Sequence, residues 1–378
     1  LIRTRTSCPS TRIFILNNDR EDPVWWRMTG SLVSVRNLTK SFVKENEWFK
    51  MNIRVEGQLV RVRINGETVV EYIEPSKPFR LKENAKALLS QGTISLVGTG
   101  RGNLQFKNIS LEAFSAKGID IPAQWANAVD EQTDEIIRLH QEDFPVLDYH
   151  VHLKGGLTKE VAARQSRQTG VNYGLAINCG IGFSITNDTE LYNYLDTMRT
   201  QPFILAMQAE GREWVTTFSE AARNSFDYVF TDAMTFLDHK GRRTHLWVNK
   251  EVIIDDEQAY MDMMLDRICS VLEEPVDMYV NSCFLPDAMS DRYDMFWTEE
   301  RIDRFVNALA KSGKALEINE LYHIPNKAII QKAKAAGVKF TFGSNNITPE
   351  VGTLDYCIRM KKECGLTAQD MYKPHINI

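Results

Sequence analysis

Long apolar runs, closely paired cysteines and clustered basic residues are all missing from this chain of 378 residues. None of its apolar runs approaches the ~18 residues that a membrane-spanning helix needs. The six cysteines, Cys8, Cys179, Cys269, Cys283, Cys357 and Cys364, lie far apart with no C-x-x-C pair, a spacing that suits neither a small disulfide scaffold nor a thiolate zinc site. There is no basic block, no aromatic–basic stripe and no zinc-finger spacing, and the net charge is −5, so nothing points to nucleic acid. Lipidation signals, internal repeats and low-complexity segments are also lacking. The apolar share of 43% and the charged share of 25% are those of an ordinary soluble globular protein, and the length allows two domains with a core each. The sequence starts at Leu1 inside polar, strand-like residues, so further sequence upstream, with any signal peptide, is expected.

Up to about residue 115 the pattern is that of strands. Met51, Ile53 and Val55 alternate with Asn52, Arg54 and Glu56, which predicts a strand with one packed and one wet face. Gly57 turns the chain, Val60, Val62 and Ile64 alternate with Arg61 and Arg63, and Asn65-Gly66 gives a strong hairpin signal before Val69, Val70 and Tyr72. Thr93–Val97 and Leu104–Phe114 read as two more strands around a turn at Gly98–Gly102. Short antiparallel strands at this spacing predict a β-sandwich over 1–115. A connector is expected over 116–145, with helical spacing from Ala126 to His140. From 146 to 378 short apolar runs alternate with amphipathic helices such as Asp256–Glu273 and Glu299–Ser312. The runs Val146–His152, Gly174–Ile177, Phe203–Gln208, Tyr228–Thr231, Met278–Asn281, Ala315–Asn319 and Lys339–Gly343 read as strands buried on both faces, hence a parallel sheet, open or closed into a barrel.

Asp148-Tyr149-His150-Val151-His152 ends the first of these strands. Two residues apart on a strand, His150 and His152 face the same way and can reach one ion at roughly 2.0–2.1 Å. At the C-terminal rim of a barrel strand such a pair is well placed for chemistry; two solvated or hydrogen-bonded histidines are the plainer alternative. Asp-x-His-x-His opening a series of strand–helix units resembles the PHP family, a seven-stranded variant of the (β/α) barrel whose members are metal-dependent phosphoesterases, among them histidinol phosphatases and polymerase-associated exonucleases. The resemblance covers roughly residues 146–375. It implies that His150 and His152 share a metal with Glu210, in Met207-Gln208-Ala209-Glu210-Gly211, and with a residue in Gly343-Ser344-Asn345-Asn346-Ile347. There the family has Gly-Ser-Asp-x-His, so Asn345 replaces the aspartate and Ile347 the histidine.

Other family histidines are absent from Lys154–Glu160 and near Asn178-Cys179-Gly180, one is replaced by Asn281, and Asp232 stands where another would be. Two of three metal positions thereby lose most of their ligands. What is left is a single divalent ion, zinc or manganese, held by His150, His152, Glu210 and a neutral Asn345, or a barrel without metal. Two histidines and a carboxylate leave catalytic zinc an open position for water. Glu317 and Asn319 match a Glu-x-Asn strand of the family. Glu317 would serve as a base or substrate anchor, or merely pair with a cation, and Asp232 would handle protons. Arg212, Asn281, Asn319 and Asn346 are the expected substrate contacts, although an arginine at a loop start is often solvated. His239 and His245 lie in or beside a polar loop and are left outside the site. Trp214, Trp247 and Trp297 can stack on a sugar face or pack in a core.

In the first half, Thr29-Gly30-Ser31-Leu32, Glu47-Trp48-Phe49, Ile64-Asn65-Gly66-Glu67 and Gly102-Asn103-Leu104-Gln105-Phe106-Lys107-Asn108-Ile109 form an ordered series over about residues 10–114. It resembles the 3-keto-disaccharide hydrolase family, a concanavalin-like jelly roll common in glycan-degrading systems, which favours a periplasmic or secreted location. That family normally has additional strands before this point. The fold expected is therefore an all-β jelly-roll sandwich followed by an α/β PHP-type (β/α)7 barrel. The leading functional expectation is a metal-dependent hydrolase acting on a carbohydrate or sugar-derived small molecule, with the sandwich aiding glycan binding. A PHP-type phosphoesterase and a non-catalytic glycan-binding or scaffold protein with a relic barrel are the alternatives. Metal analysis separates the enzymes from the scaffold, and a phosphoester assay beside a keto-sugar glycoside assay separates the two enzymes.

Overall fold

The structure, a computed structural model, describes residues 11–15, 24–90, 94–96, 104–113, 129–238 and 240–376. The chain divides into two compact units, Leu1–Asp143 and Phe144–Ile378. No helix among the described residues is long and apolar enough to cross a membrane.

In the first unit β1 (Met51–Glu56), β2 (Leu59–Ile64) and β3 (Glu67–Ile73) form an antiparallel sheet in chain order. The hairpin from β2 to β3 turns at Asn65 and Gly66, both with positive φ, the backbone that an Asn-Gly pair adopts at little cost. Val60, Val62 and Ile64 pack with Val69, Val70 and Tyr72 against Leu32, Val35 and Val43. Gly30 lets the chain pass close to this core, since a Cβ there would lie 2.9 Å from Ile64 Cδ1. The helix Glu135–Gln141, capped by Asp134, belongs to this unit and places Ile137 in the same core. Beside the core, Arg80 is buried between Glu74 and Glu131 and donates to Tyr72 Oη.

Two expectations for this unit need correction. The apolar side of β1 is packed only at Met51, which meets the core: Ile53 and Val55 are 48% and 50% exposed, because β1 pairs only with β2 and nothing described covers that part of its face. Residues 94–96 and 104–113 form no strand and leave Ile94, Leu96, Ile109 and Leu111 exposed. Alternation marks a strand that has a partner and a core to cover, and among the described residues neither meets these segments. Thr93, Val97–Gly102 and Phe114 lie outside the described residues, as do Ala126 to Ala128 of the expected helix.

The second unit is built on β4 (Leu147–Val151), β5 (Asn172–Cys179), β6 (Ile204–Ala209), β7 (Tyr228–Thr231), a small antiparallel hairpin of β8 (Thr235–Leu237) and β9 (Arg243–His245), and then β10 (Met278–Tyr279), β11 (Ala315–Asn319) and β12 (Phe340–Gly343). The strands β4, β5, β6, β7, β10, β11 and β12 close into a parallel barrel in that order, β12 pairing back to β4. Helices fill the crossovers: Lys159–Thr169, Asp188–Met198, Glu257–Val271, Glu299–Ser312 and Lys327–Ala335 start at Thr158, Asn187, Asp256, Thr298 and Asn326, each of whose side chains accepts a hydrogen bond from a first-turn N–H. The strands are buried on both faces because these helices cover the outside. Every barrel strand falls within or close to a run expected from the sequence, and the question of open sheet or barrel resolves as a barrel. The cysteines among the described residues are unpaired.

Candidate functional site

Polar side chains gather where the barrel strands end. On β4 the alternation of the strand turns Asp148 and His150 to one side, and His152 follows them. Asp148 Oδ1 accepts from the backbone N–H of His150 at 3.1 Å and of Ser344 at 2.9 Å, tying β4 to the end of β12. Burial lifts its carboxyl to about 6 despite those donors. His150 Nδ1 donates to Glu317 Oε1 at 2.6 Å, and His150 Nε2 lies 3.2 Å from Gln208 Oε1. His152 Nδ1 donates to the carbonyl of Ala176 at 3.1 Å. Its pKa is pushed well below the usual value, chiefly by burial and then by His150 and Lys154, so this imidazole is neutral. The two rings are 5.0 Å apart.

Glu210 stands just past β6. Its Oε1 accepts from Asn178 Nδ2 at 2.7 Å and from Gln208 Nε2 at 3.0 Å. Burial first, and then the charge of Asp232, raise its carboxyl to about 8. Asp232, just past β7, accepts from Asn281 Nδ2 at 2.8 Å and from the Met234 N–H at 2.9 Å. Its pKa is also raised by burial, but those two bonds and the Arg212 guanidinium oppose the rise. Asn178, Lys154 and Arg212 oppose the rise at Glu210 in the same way, so two buried carboxyl groups stand within each other's field with the Arg212 charge acting on both.

The expected substrate contacts are largely engaged in holding the site together. Glu317 is fully buried, and besides His150 it accepts from the Asn281 N–H at 2.7 Å and from Asn319 Nδ2 at 2.9 Å. It positions its neighbours and presents no free oxygen to a substrate. Gly343 makes this possible: a Cβ there would stand 2.1 Å from Glu317 Oε1 and 2.8 Å from His150 Cβ. Asn281 Oδ1 accepts from both Asn319 and Asn345 Nδ2, at 3.1 and 2.8 Å. Asn346 forms a reciprocal pair with the backbone of His152, at 2.7 and 2.9 Å, so it fixes the end of β4. Arg212 donates to Glu274 at 2.7 Å and to Thr231 Oγ1 and the Asp232 carbonyl at 2.9 and 3.0 Å. It braces the turn that carries Asp232.

The metal grip expected of His150, His152, Glu210 and Asn345 does not fit this arrangement. Among the described residues no three His, Cys, Asp or Glu side chains are grouped so as to hold an ion. The reason is visible in Gln208, whose carboxamide meets His150 and Glu210 and is within hydrogen-bonding reach of His152. Asn345 turns its amide to Asn281 instead. Gln208 and Asn178 were not expected as site residues. Their signal was present in the sequence: Gln208 lies two residues before Glu210 on one strand and so shares its side, and Asn178 ends β5.

Of the three tryptophans, Trp214 and Trp297 are buried, with their indole N–H groups donating to Glu274 and to the Cys283 carbonyl. Trp247 is 44% exposed just after β9. Its ring centre is 5.0 Å from that of His245, whose Nδ1 bonds Glu251 at 2.6 Å. The β8–β9 hairpin follows directly on β7, and the Leu246 N–H donates to the Met234 carbonyl, which keeps Trp247 on the Asp232 side of the barrel. His239 lies outside the described residues.

Residues 6–112 match the family described as the 3-keto-alpha-glucoside-1,2-lyase-like domain. No curated protein matches the chain. The crystal structure of a histidinol phosphate phosphatase from Lactococcus lactis, complexed with zinc, L-histidinol and phosphate, is similar at 13% identity and a TM-score of 0.41, over 58% of this chain and 94% of that one. The chain thus joins a segment similar to the 3-keto-alpha-glucoside-1,2-lyase-like domain, residues 6–112, to a closed seven-stranded parallel barrel.

Proposed function

We propose that the barrel hydrolyses a sugar-derived small molecule by acid–base chemistry, with Glu210 as the acid and Asp232 as the base. The observation that carries this reading is the pair itself: two buried carboxyl groups at adjacent strand ends, each held by amide donors and both raised by burial, whose mutual field separates the loss of the first proton from that of the second. Such a split is how two chemically similar groups take opposite roles at one pH. Glu210 holds its proton near neutrality and gives it to the departing glycosidic oxygen as the C–O bond breaks. Asp232, as the carboxylate of the pair, takes a proton from the water whose oxygen forms the new bond to carbon. His150, Gln208 and Asn178 orient Glu210, while Asn281 and Arg212 hold Asp232.

The likeness of residues 6–112 to a domain named for 3-keto-alpha-glucosides supports a sugar substrate, more specifically a keto-glycoside. An exposed Trp247 on the Asp232 side of the barrel supplies an apolar face for a pyranose ring. A phosphoester substrate is less well served. Phosphoryl transfer asks for cations around the phosphate oxygens, and Arg212 is already bonded to Glu274 and the Asp232 turn.

The test is a side-by-side assay of a 3-keto-glucoside, an unoxidised aryl glucoside and an aryl phosphate in chelator-containing buffer. Turnover of a glycoside that disappears in Glu210→Gln is the expected result. Turnover confined to the phosphate, or a glycosidase activity indifferent to Glu210→Gln and Asp232→Asn, contradicts the proposal.

A further inference from the structure

We infer that Gln208 is a built-in plug: its carboxamide occupies the space in which His150, His152 and Glu210 would otherwise grip a divalent cation. His150 Nδ1 is tied to the Glu317 carboxylate at 2.6 Å, and His152 Nδ1 is tied to the Ala176 carbonyl at 3.1 Å. Both acceptors fix a proton on Nδ1, the outer-shell arrangement that turns Nε2 toward a metal and sets the ligating tautomer. In this barrel His150 Nε2 instead faces a neutral side chain, which also neighbours His152. Gln208 Oε1 is 3.2 Å from His150 Nε2, and the same amide reaches His152, whose Nδ1 is already taken. On its other side Gln208 Nε2 donates to Glu210 Oε1 at 3.0 Å.

A carboxamide suits this place because it has one donating and one accepting end, either of which can face an imidazole nitrogen or a carboxyl oxygen as the protons require, whereas a cation would draw the same atoms in to roughly 2.0–2.2 Å from its centre. With the amide present those distances are unattainable, because the hydrogen-bonded spacings are about an ångström longer. Shortening residue 208 leaves two Nε2 donors and one carboxylate facing a cavity of carboxamide size, the ligand set of a catalytic zinc site with room for water. This goes beyond the proposed reaction and does not depend on it, since its readout is metal content and not turnover.

The experiment compares the wild-type chain with Gln208→Ala and Gln208→Ser after zinc or cobalt loading and exhaustive dialysis. Metal per chain is measured by elemental analysis, the cobalt visible spectrum reports coordination, and circular dichroism reports folding. The expected result is negligible retained metal in the wild type and about one ion per chain in a folded 208 variant, with tetrahedral cobalt bands that vanish when His152→Ala is added. A wild-type chain that retains one zinc, lost on His150→Ala, overturns the inference. So does a folded Gln208→Ala or Gln208→Ser that retains none. If neither variant folds, the wild-type measurement alone still decides: one His150-dependent zinc overturns the inference, and negligible metal supports it.

Discussion

A carboxylate inside a barrel needs partners for both oxygens, and Glu317 finds them in His150 Nδ1, the Asn281 N–H and Asn319 Nδ2. Its role is positional, and the consequence of deleting it follows from that. Glu317→Ala leaves an imidazole N–H and two amide donors without acceptors in a dry interior, which costs about 3 kcal/mol and should appear as a lowered denaturant midpoint. Activity should fall through a misplaced His150 and Asn281, with partial recovery in Glu317→Gln; an unchanged midpoint in Glu317→Ala would sink this assignment. In the sequence, strand alternation put His150 with His152 and Glu317 with Asn319, and the family resemblance added Glu210 to the two histidines. It did not show what lies between them. A glutamine in the apolar run Ile204–Ala209 looks like any tolerated polar residue until its two neighbours are placed.

At the scale of the element, the strand ends set the site, and two small features of them are decisive. β12 ends in Gly343, where any Cβ would collide with Glu317 and His150. Gly343→Ala should cost about 2 kcal/mol by overpacking, and it should disturb the His150–Glu317 bond, a change visible as a shifted imidazole resonance in NMR. A variant with unaltered stability and an unaltered His150 resonance would contradict the close packing. The hairpin of β8 and β9 brings Trp247 to the Asp232 side. Trp247→Ala should raise KM about fivefold, the size of an aromatic contact, with kcat nearly unchanged; equal loss in kcat and kcat/KM would argue against a binding role. The barrel strands were legible because each is a short apolar run between capped helices, buried on both faces. The ends of the first unit's sheet were not, since alternation in β1 and in residues 94–113 carries no information about whether a partner covers it.

For the whole molecule, buried carboxyl groups shape the response to pH. Asp148 and Glu210 are raised to about 6 and about 8, so between the unfolded values and these the folded chain holds protons that the unfolded chain releases. Stability from these two groups is therefore fully present below pH 4 and lost as pH rises through 6 and then 8. Surface acids such as Asp238, lowered to about 2 by Arg242, act in the opposite sense but only below about pH 4. Neutral His152, held well below its usual value, acts in the opposite sense up to about pH 6.5, so urea midpoints should decline from about pH 7 to about pH 8.5, and a flat or rising profile there would contradict the assigned shifts. The same proton on Glu210 is the centre of the functional account, which holds that a carboxyl pair, without a metal, drives the chemistry. The most direct test is the pH dependence of kcat/KM for a keto-glycoside measured on chelator-stripped protein. The account predicts that activity survives stripping, falls on the alkaline side near pH 8, and drops about 10²–10⁴-fold with loss of that limb in Glu210→Gln. Activity abolished by the chelator and restored by zinc would contradict it.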